Sequence, residues 1–276
     1  MLWNKDKLFC DLNPVCYAIS EKKEICRRHL KNIKSNKKFA RTINENMLPE
    51  VISEYSSGLI KKGKGIDPVL QENKAVNIEL ACSRISGIII HPGEIFSFWV
   101  SVGKITKKKG YREGRVLINS KLMPGLGGGL CNLANTIHLL ILHSPLDVVE
   151  FHSHSDALAP DYGKRQPMSS GTSVSYNYID YRFKNNTDQD FQLFLWCEDE
   201  RLYGALRSER RFPEIFELVE ENHHFHKEGD KYYRISKIYR NTIEKESGII
   251  TEKKLVLDNH SEVMYDYDLI PENQII

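Results

Sequence analysis

The chain has 276 residues, enough for one large domain or a main domain with a smaller partner. Hydrophobic residues make up 41% and charged residues 28%, ordinary values for a globular protein, and 39 basic against 37 acidic residues leave a net charge of +2. That balance gives no support for a nucleic-acid partner, no stretch approaches the roughly 20 apolar residues needed for a membrane span, and the first thirty residues hold no apolar core of signal-peptide length, so a cytoplasmic location is expected.

In chain order, residues 1–72 are expected to be a largely helical N-terminal region, basic and broken at Pro14. Cys10, Cys16, Cys26 and His29 are too loosely spaced for a metal site, and the six cysteines contain no CxxC pair. They are read as free thiols, with neither metal nor cofactor implied. Lysine runs at 61–64 and 107–109 (interrupted by Gly63) read as solvated loops.

Ile78, Ala81, Cys82 and Ile85 fall on one face of a helix that Gly87 closes. Ile88–Ile90 reads as a short buried strand, 91–94 as a turn, and IFSFWV (95–100) as a strand. After a glycine- and lysine-rich stretch with a strand near 115–118, a helix runs from Leu130 to about His143. Its stripe is Leu130, Leu133, Ala134, Ile137, Leu140 and Ile141, and Ser144–Pro145 stops it.

The period then changes to two. Strands are expected at 148–155 and 172–185, the second turning back at 185–188 into DFQLFLWCED, with ERLYGALRS closing a further hairpin. Residues 209–276 read as a small β-rich appendage with a hairpin turned at Glu228–Gly229–Asp230. His223, His224 and His226 lack the acidic or cysteine support of a metal site and read as a strand end. The whole is an α+β fold: N-terminal helices, a central helix on an antiparallel sheet over 73–208, and the C-terminal β appendage.

The chemistry points to GLGGGLCN, residues 125–132. A cysteine in the first turn of a helix sits at the positive end of the macrodipole, which favours the thiolate below its ordinary pKa of about 8.5. Gly127, Gly128 and Gly129 leave backbone N–H groups uncovered, a candidate oxyanion pocket with Asn132. Cys131, Asn135 and His138 lie off the helix stripe, but Cys131 and His138 are two turns, about 10 Å, apart. His152 and His154 share one strand face, and Asp180 lies on the next strand. Helix Cys, strand His and a polar residue on the neighbouring strand is the order of papain-like and transglutaminase-like thiol enzymes. The competing reading makes the glycines a device for close helix–sheet packing and Cys131 a buried filler.

HPGEIFSFWVSVGKITKKKGYREGRVL, GGGLCNLANTIHLLILHSPLDVVEFHSH and IDYRFKNNTD resemble the VanW family, over about residues 73–208. That family is associated with bacterial glycopeptide (vancomycin) resistance clusters. The resemblance carries over to Pro92, Gly93, Glu94, Phe96, Ser97 and Phe98, to Gly110 and Tyr111, to Gly127–Gly129 and Cys131, to Glu150 and His154, and to Asp180 and Asn185. It selects His154 over His138 and His152. Asn132 stands where the family usually has Gln, Ala134 where Ser is common, and Gly171–Thr172 where an Asp-Ala-Thr motif is expected. The implied function lies in glycopeptide resistance or envelope biology. Its chemistry would be thiol-dependent acyl or amide transfer on a small peptide or peptidoglycan-like ligand: Cys131 as nucleophile, His154 as base, Asp180 as orienting residue and Glu94 at the rim. The alternatives are a non-catalytic peptide- or glycan-binding module and a redox-sensing Cys131.

Overall fold

The computed structural model describes residues 8–62, 66–118, 121–153, 156–157, 160, 167–168 and 171–276, and the architecture is α+β. Helix α1 (Pro14–Lys34) opens on Asn13, whose side-chain oxygen accepts from the amides of Val15 and Cys16, with proline in the first turn. It has no buried residue. Strands β1 (Thr42–Ile43) and β2 (Glu50–Gly58) follow. Thus the N-terminal region contributes a nine-residue strand as well as helix. Helix α2 (Pro68–Ile85) repeats the Asn–Pro start with Asp67 and Pro68, and Gly87 follows its end at φ +83°.

Strand β3 (Ile88–Ile90) is fully buried. IFSFWV departs from the expected strand: only β4 (Ile95–Ser97) is extended, and α3 (Phe98–Val102) is a short helix. The Ser97 hydroxyl accepts from the Val100 amide and the Asp180 carboxylate accepts from the Trp99 amide, so side chains satisfy the donors of a first helical turn. A hairpin of β5 (Glu113–Ile118) and β6 (Lys121–Leu126) leads through the glycines into α4 (Leu130–Leu142).

Beyond α4 come β7 (Asp147–Glu150), β8 (Asp156–Ala157) and β9 (Arg182–Lys184). The two long strands expected at 148–155 and 172–185 are therefore mostly irregular where described. Residues 172–181 make only isolated bridges, Ser153 with Thr172 and Ser175 with Ile179. Asn177 turns the chain at φ +50°, which a continuous strand forbids. Strand β10 (Phe191–Glu198) pairs with β11 (Arg201–Ser208) as expected. It does not pair with β9, which lies with β4 and β7 in a separate three-stranded sheet. Asn185 makes the change of sheet: its Nδ2 donates to the Ile90 and Gln189 carbonyls and its Oδ1 accepts from Thr187.

The central sheet has the order β1-β3-β10-β11-β2, with neighbours antiparallel. Helix α4 lies close on it: a Cβ at Gly204 of β11 would meet Leu140 Cδ1 at 2.8 Å. From Leu133 to Leu142 every residue of α4 is buried, including Asn135 and His138, which the sequence places off the stripe. The cause is cover on the second side. Asn135 Oδ1 accepts from the Thr172 hydroxyl (2.8 Å), its Nδ2 donates to the Met168 carbonyl, and His138 meets Tyr181. The core gathers Phe96, Phe98, Tyr181, Phe183 and Phe191, with Phe96 stacked on Phe183 at 4.8 Å.

The C-terminal region is built from long strands, β12 (Glu214–Glu228), β13 (Lys231–Glu244) and β14 (Ile250–Val263). β12 and β13 form the expected hairpin, and β14 is far longer than KLVLDN suggests. The sheet is fastened to the C-terminal end of α4: Ile238 packs with Leu139 and Leu142, and Arg240 donates to the Ser144 and Leu146 carbonyls.

Candidate functional site

The glycine turn between β6 and α4 is shaped by close approach. Gly127 and Gly129 take φ +76° and +102°, conformations that disfavour any L side chain. Gly128 is held against Gly114: a Cβ at 128 would meet the Gly114 carbonyl carbon at 2.2 Å. Asn77 of α2 locks the turn, donating to the Gly128 carbonyl (2.9 Å) and the Arg112 carbonyl while accepting from the Arg112 amide (2.8 Å). The packing role weighed for these glycines is thus present. The amides of Gly127 and Gly128 are already spent, on the carbonyls of Arg112 and Gly125.

Cys131 lies in the first turn of α4 and is half-buried. Its thiol donates to the Val174 carbonyl at 3.6 Å. Burial pushes the thiol pKa up, against smaller opposing effects from the backbone of Val174 and of Cys131 itself. Desolvation thus works against the thiolate-favouring environment expected from the helix terminus. Asn132 turns toward β2, its Oδ1 accepting from Ser57 at 3.3 Å. Glu94 accepts from the His91 amide and closes the turn it belongs to.

Asp180 is completely buried and holds four donors. Oδ2 accepts from Ser97 Oγ and Arg182 Nε, both at 2.6 Å, and Oδ1 accepts from the Trp99 and Tyr181 amides. Ser97 and Asp180 come from separate sequence motifs, and this bond joins them. Glu150 receives a bidentate pair from Arg28 of α1 (2.6 Å each) and a 3.2 Å contact from His152 Nε2. Burial raises the Glu150 pKa, but these hydrogen bonds and the charges of Arg28 and Arg182 prevail and hold it below the usual carboxylate range. His138 shares a 3.1 Å hydrogen bond with the Tyr181 hydroxyl and stacks on Phe151, and burial drops its pKa to about 3. His154 lies outside the described residues. The segment leading to it runs beside the cysteine's neighbour, since the Ser173 amide donates to the His152 carbonyl and Ser153 bridges Thr172.

Residues 73–207 match the family model described as VanW like protein. Over that stretch the chain is similar to the VanW-like family. The vancomycin B-type resistance protein VanW of Enterococcus faecalis is 28% identical over 227 residues, 82% of either chain. The uncharacterized protein YoaR of Bacillus subtilis is 28% identical over 148 residues, 52% of this chain and 47% of that protein. No solved structure matches.

The VanW-like region holds Glu94, the glycine turn, Cys131, Asn132 and Asp180, whereas Arg28, which clamps its Glu150, comes from outside it. Sequence reasoning missed Arg28 and Arg182. It also missed Lys74, a lysine in phase with the apolar stripe Ile78–Ile85, and that phase was a readable signal. A cavity of about 860 Å³, whose lining does not include Cys131, opens between β2, the C-terminal end of α4 and β12, lined in part by Ile52, Tyr55, Leu139 and Phe216. Among the described residues no group of His, Cys, Asp and Glu is arranged to hold a metal ion, and no helix is long and apolar enough to cross a membrane.

Proposed function

We propose that this chain acts in glycopeptide resistance or cell-envelope biology as an accessory module that binds a peptide or glycan ligand. The envelope context is supported by its likeness to a vancomycin B-type resistance protein across 82% of the chain. The observation that favours binding over chemistry is the state of Cys131: a half-buried thiol, bonded to the Val174 carbonyl and made less acidic by burial. A nucleophilic cysteine requires the opposite environment. Asp180 supports the same reading, because its four acceptor positions are taken by Ser97, Trp99, Tyr181 and Arg182.

One arrangement favours a second reading, thiol-dependent acyl chemistry with Cys131 as nucleophile and His154 as base. The chain entering His154 lies along the 172–174 segment that touches the Cys131 sulfur. Iodoacetamide labelling of the folded chain against pH, read by peptide mass spectrometry, separates the two. The binding reading expects Cys131 to be labelled slowly at pH 7–8, and faster only when the chain is unfolded. Rapid labelling with a midpoint well below pH 8 would overturn it in favour of the thiol enzyme.

A further inference from the structure

Three buried polar residues, Gln71, Lys74 and Asn77, recur every third position on one face of α2. The outer two are matched: Gln71 Oε1 accepts from the Lys61 amide at 3.1 Å, and Asn77 holds the glycine turn and Arg112. Lys74 between them makes no hydrogen bond or ion pair among the described residues, although only 9% of it is exposed. Its stem lies along Gly129, the residue that caps α4: a Cβ there would meet Lys74 Cγ at 2.3 Å and Cδ at 3.3 Å. The stem thereby passes the N-terminus of a thirteen-residue helix, where the Asn132 amide donates to the Gly129 carbonyl at 2.9 Å and the amides of Leu130 and Cys131 precede any carbonyl one turn back.

The surroundings add positive charge. Lys61 is tied to the first turn of α2, and the Arg115 backbone passes beside Gly128, its nitrogen 2.6 Å from a Cβ built there. Burial, with these two cations, lowers the Lys74 pKa to about 8. Glu113, the acidic residue nearest Arg115 in sequence, is taken by Lys107 at 3.2 Å. Three cations and a helix N-terminus thus converge without a counter-ion from the described residues. Buried charges are ordinarily paired, so Lys74, the buried member of the three, is short of an anion.

We infer that Lys74, Lys61, Arg115 and the first turn of α4 form a binding site for an oxyanion, the carboxylate or phosphate group of a small ligand. Glycine at 129 leaves room for the Lys74 stem, and glycine at 128 lets the Arg115 strand approach. The site supplies a ligand class for the binding reading and rests on that reading only for its use; none of its side chains is one that the thiol chemistry requires.

Isothermal titration of the full chain with inorganic phosphate and with acetate, at fixed ionic strength, tests the site. Saturable binding of at least one, with a dissociation constant of about 1 mM or tighter, is expected. Lys74→Met should weaken it at least tenfold, and Arg115→Gln and Lys61→Gln about threefold each, with circular dichroism confirming the fold of every variant. A preference for phosphate indicates a phosphate-bearing ligand, and a preference for acetate a carboxylate-bearing one. Absence of saturable binding of both anions overturns the inference. So does binding that survives Lys74→Met, or both exposed-side variants, within twofold. The labelling of Cys131 is read separately, so failure here leaves the outcome for that residue standing.

Discussion

Two buried charges, Asp180 and Lys74, each gather others around them, and the two groups are built on opposite rules. Around Asp180 every charge is answered: Asp180 by Arg182, Glu150 by Arg28 and Arg182, with serine and backbone donors completing the shell. Lys74 has no counter-ion among the described residues, and neighbouring cations aggravate its burial. The first arrangement ties β4, β9, β7 and α1 together and spends all of its bonding capacity on the fold. The second spends stability and leaves bonding capacity over. A titratable residue in a motif is therefore not by itself a sign of chemistry; what distinguishes the two groups is whether the side chain has anything left to offer.

This contrast is open to direct attack. Asp180→Ala should have the largest effect, a loss of about 3–5 kcal/mol, because it removes the 2.6 Å partner of Arg182 Nε and strands three further donors in the interior. Urea denaturation measures it, and a loss below about 1 kcal/mol would dissolve the distinction.

His138 comes next. Its folded pKa, about 3, lies below the unfolded value of 6.5, so the unfolded chain binds the extra proton between them. Its contribution is fully present above pH 6.5 and declines on acidification, by about 1.4 kcal/mol for each pH unit down to about pH 3. Denaturation at pH 7 and pH 4.5 should show His138→Gln flattening this slope relative to the parent chain.

The smallest effect has the most informative sign. Lys74→Met should stabilise the protein by about 1 kcal/mol at pH 7, since an unanswered buried charge is removed. The gain should vanish on the alkaline side, as the parent lysine discharges between pH 8 and pH 10.5. Destabilisation instead would place Lys74 among the answered charges.

What the residues disclosed in advance followed from period and punctuation. Helix α4 was visible through its apolar stripe and its Ser–Pro stop, and the β12–β13 hairpin through Glu228–Gly229–Asp230. Segments whose shape depends on distant side chains were not. Phe98–Val102 alternates like a strand, yet a carboxylate 81 positions away from Trp99 accepts its amide and helps coil it. Residues 172–181 look extended until Asn177 turns them. At the site, the position of Cys131 on its helix was legible, but its protonation was not, because desolvation by the surrounding core is a tertiary effect. The partners of Asp180 were hidden for the same reason.

Helix α1 has local beginnings and distant moorings. Asn13 and Pro14 start it without help, whereas its Arg28 grips Glu150 across 122 positions and its Asn32 meets Arg182 across 150. Loops of that length close late, so the helix docks after the sheets it clasps have assembled. With no side chain sunk in the core, it is also the segment whose amide protons should exchange first, well before those of α4. One guanidinium thus sets when the N-terminal arm joins the molecule and how readily it leaves.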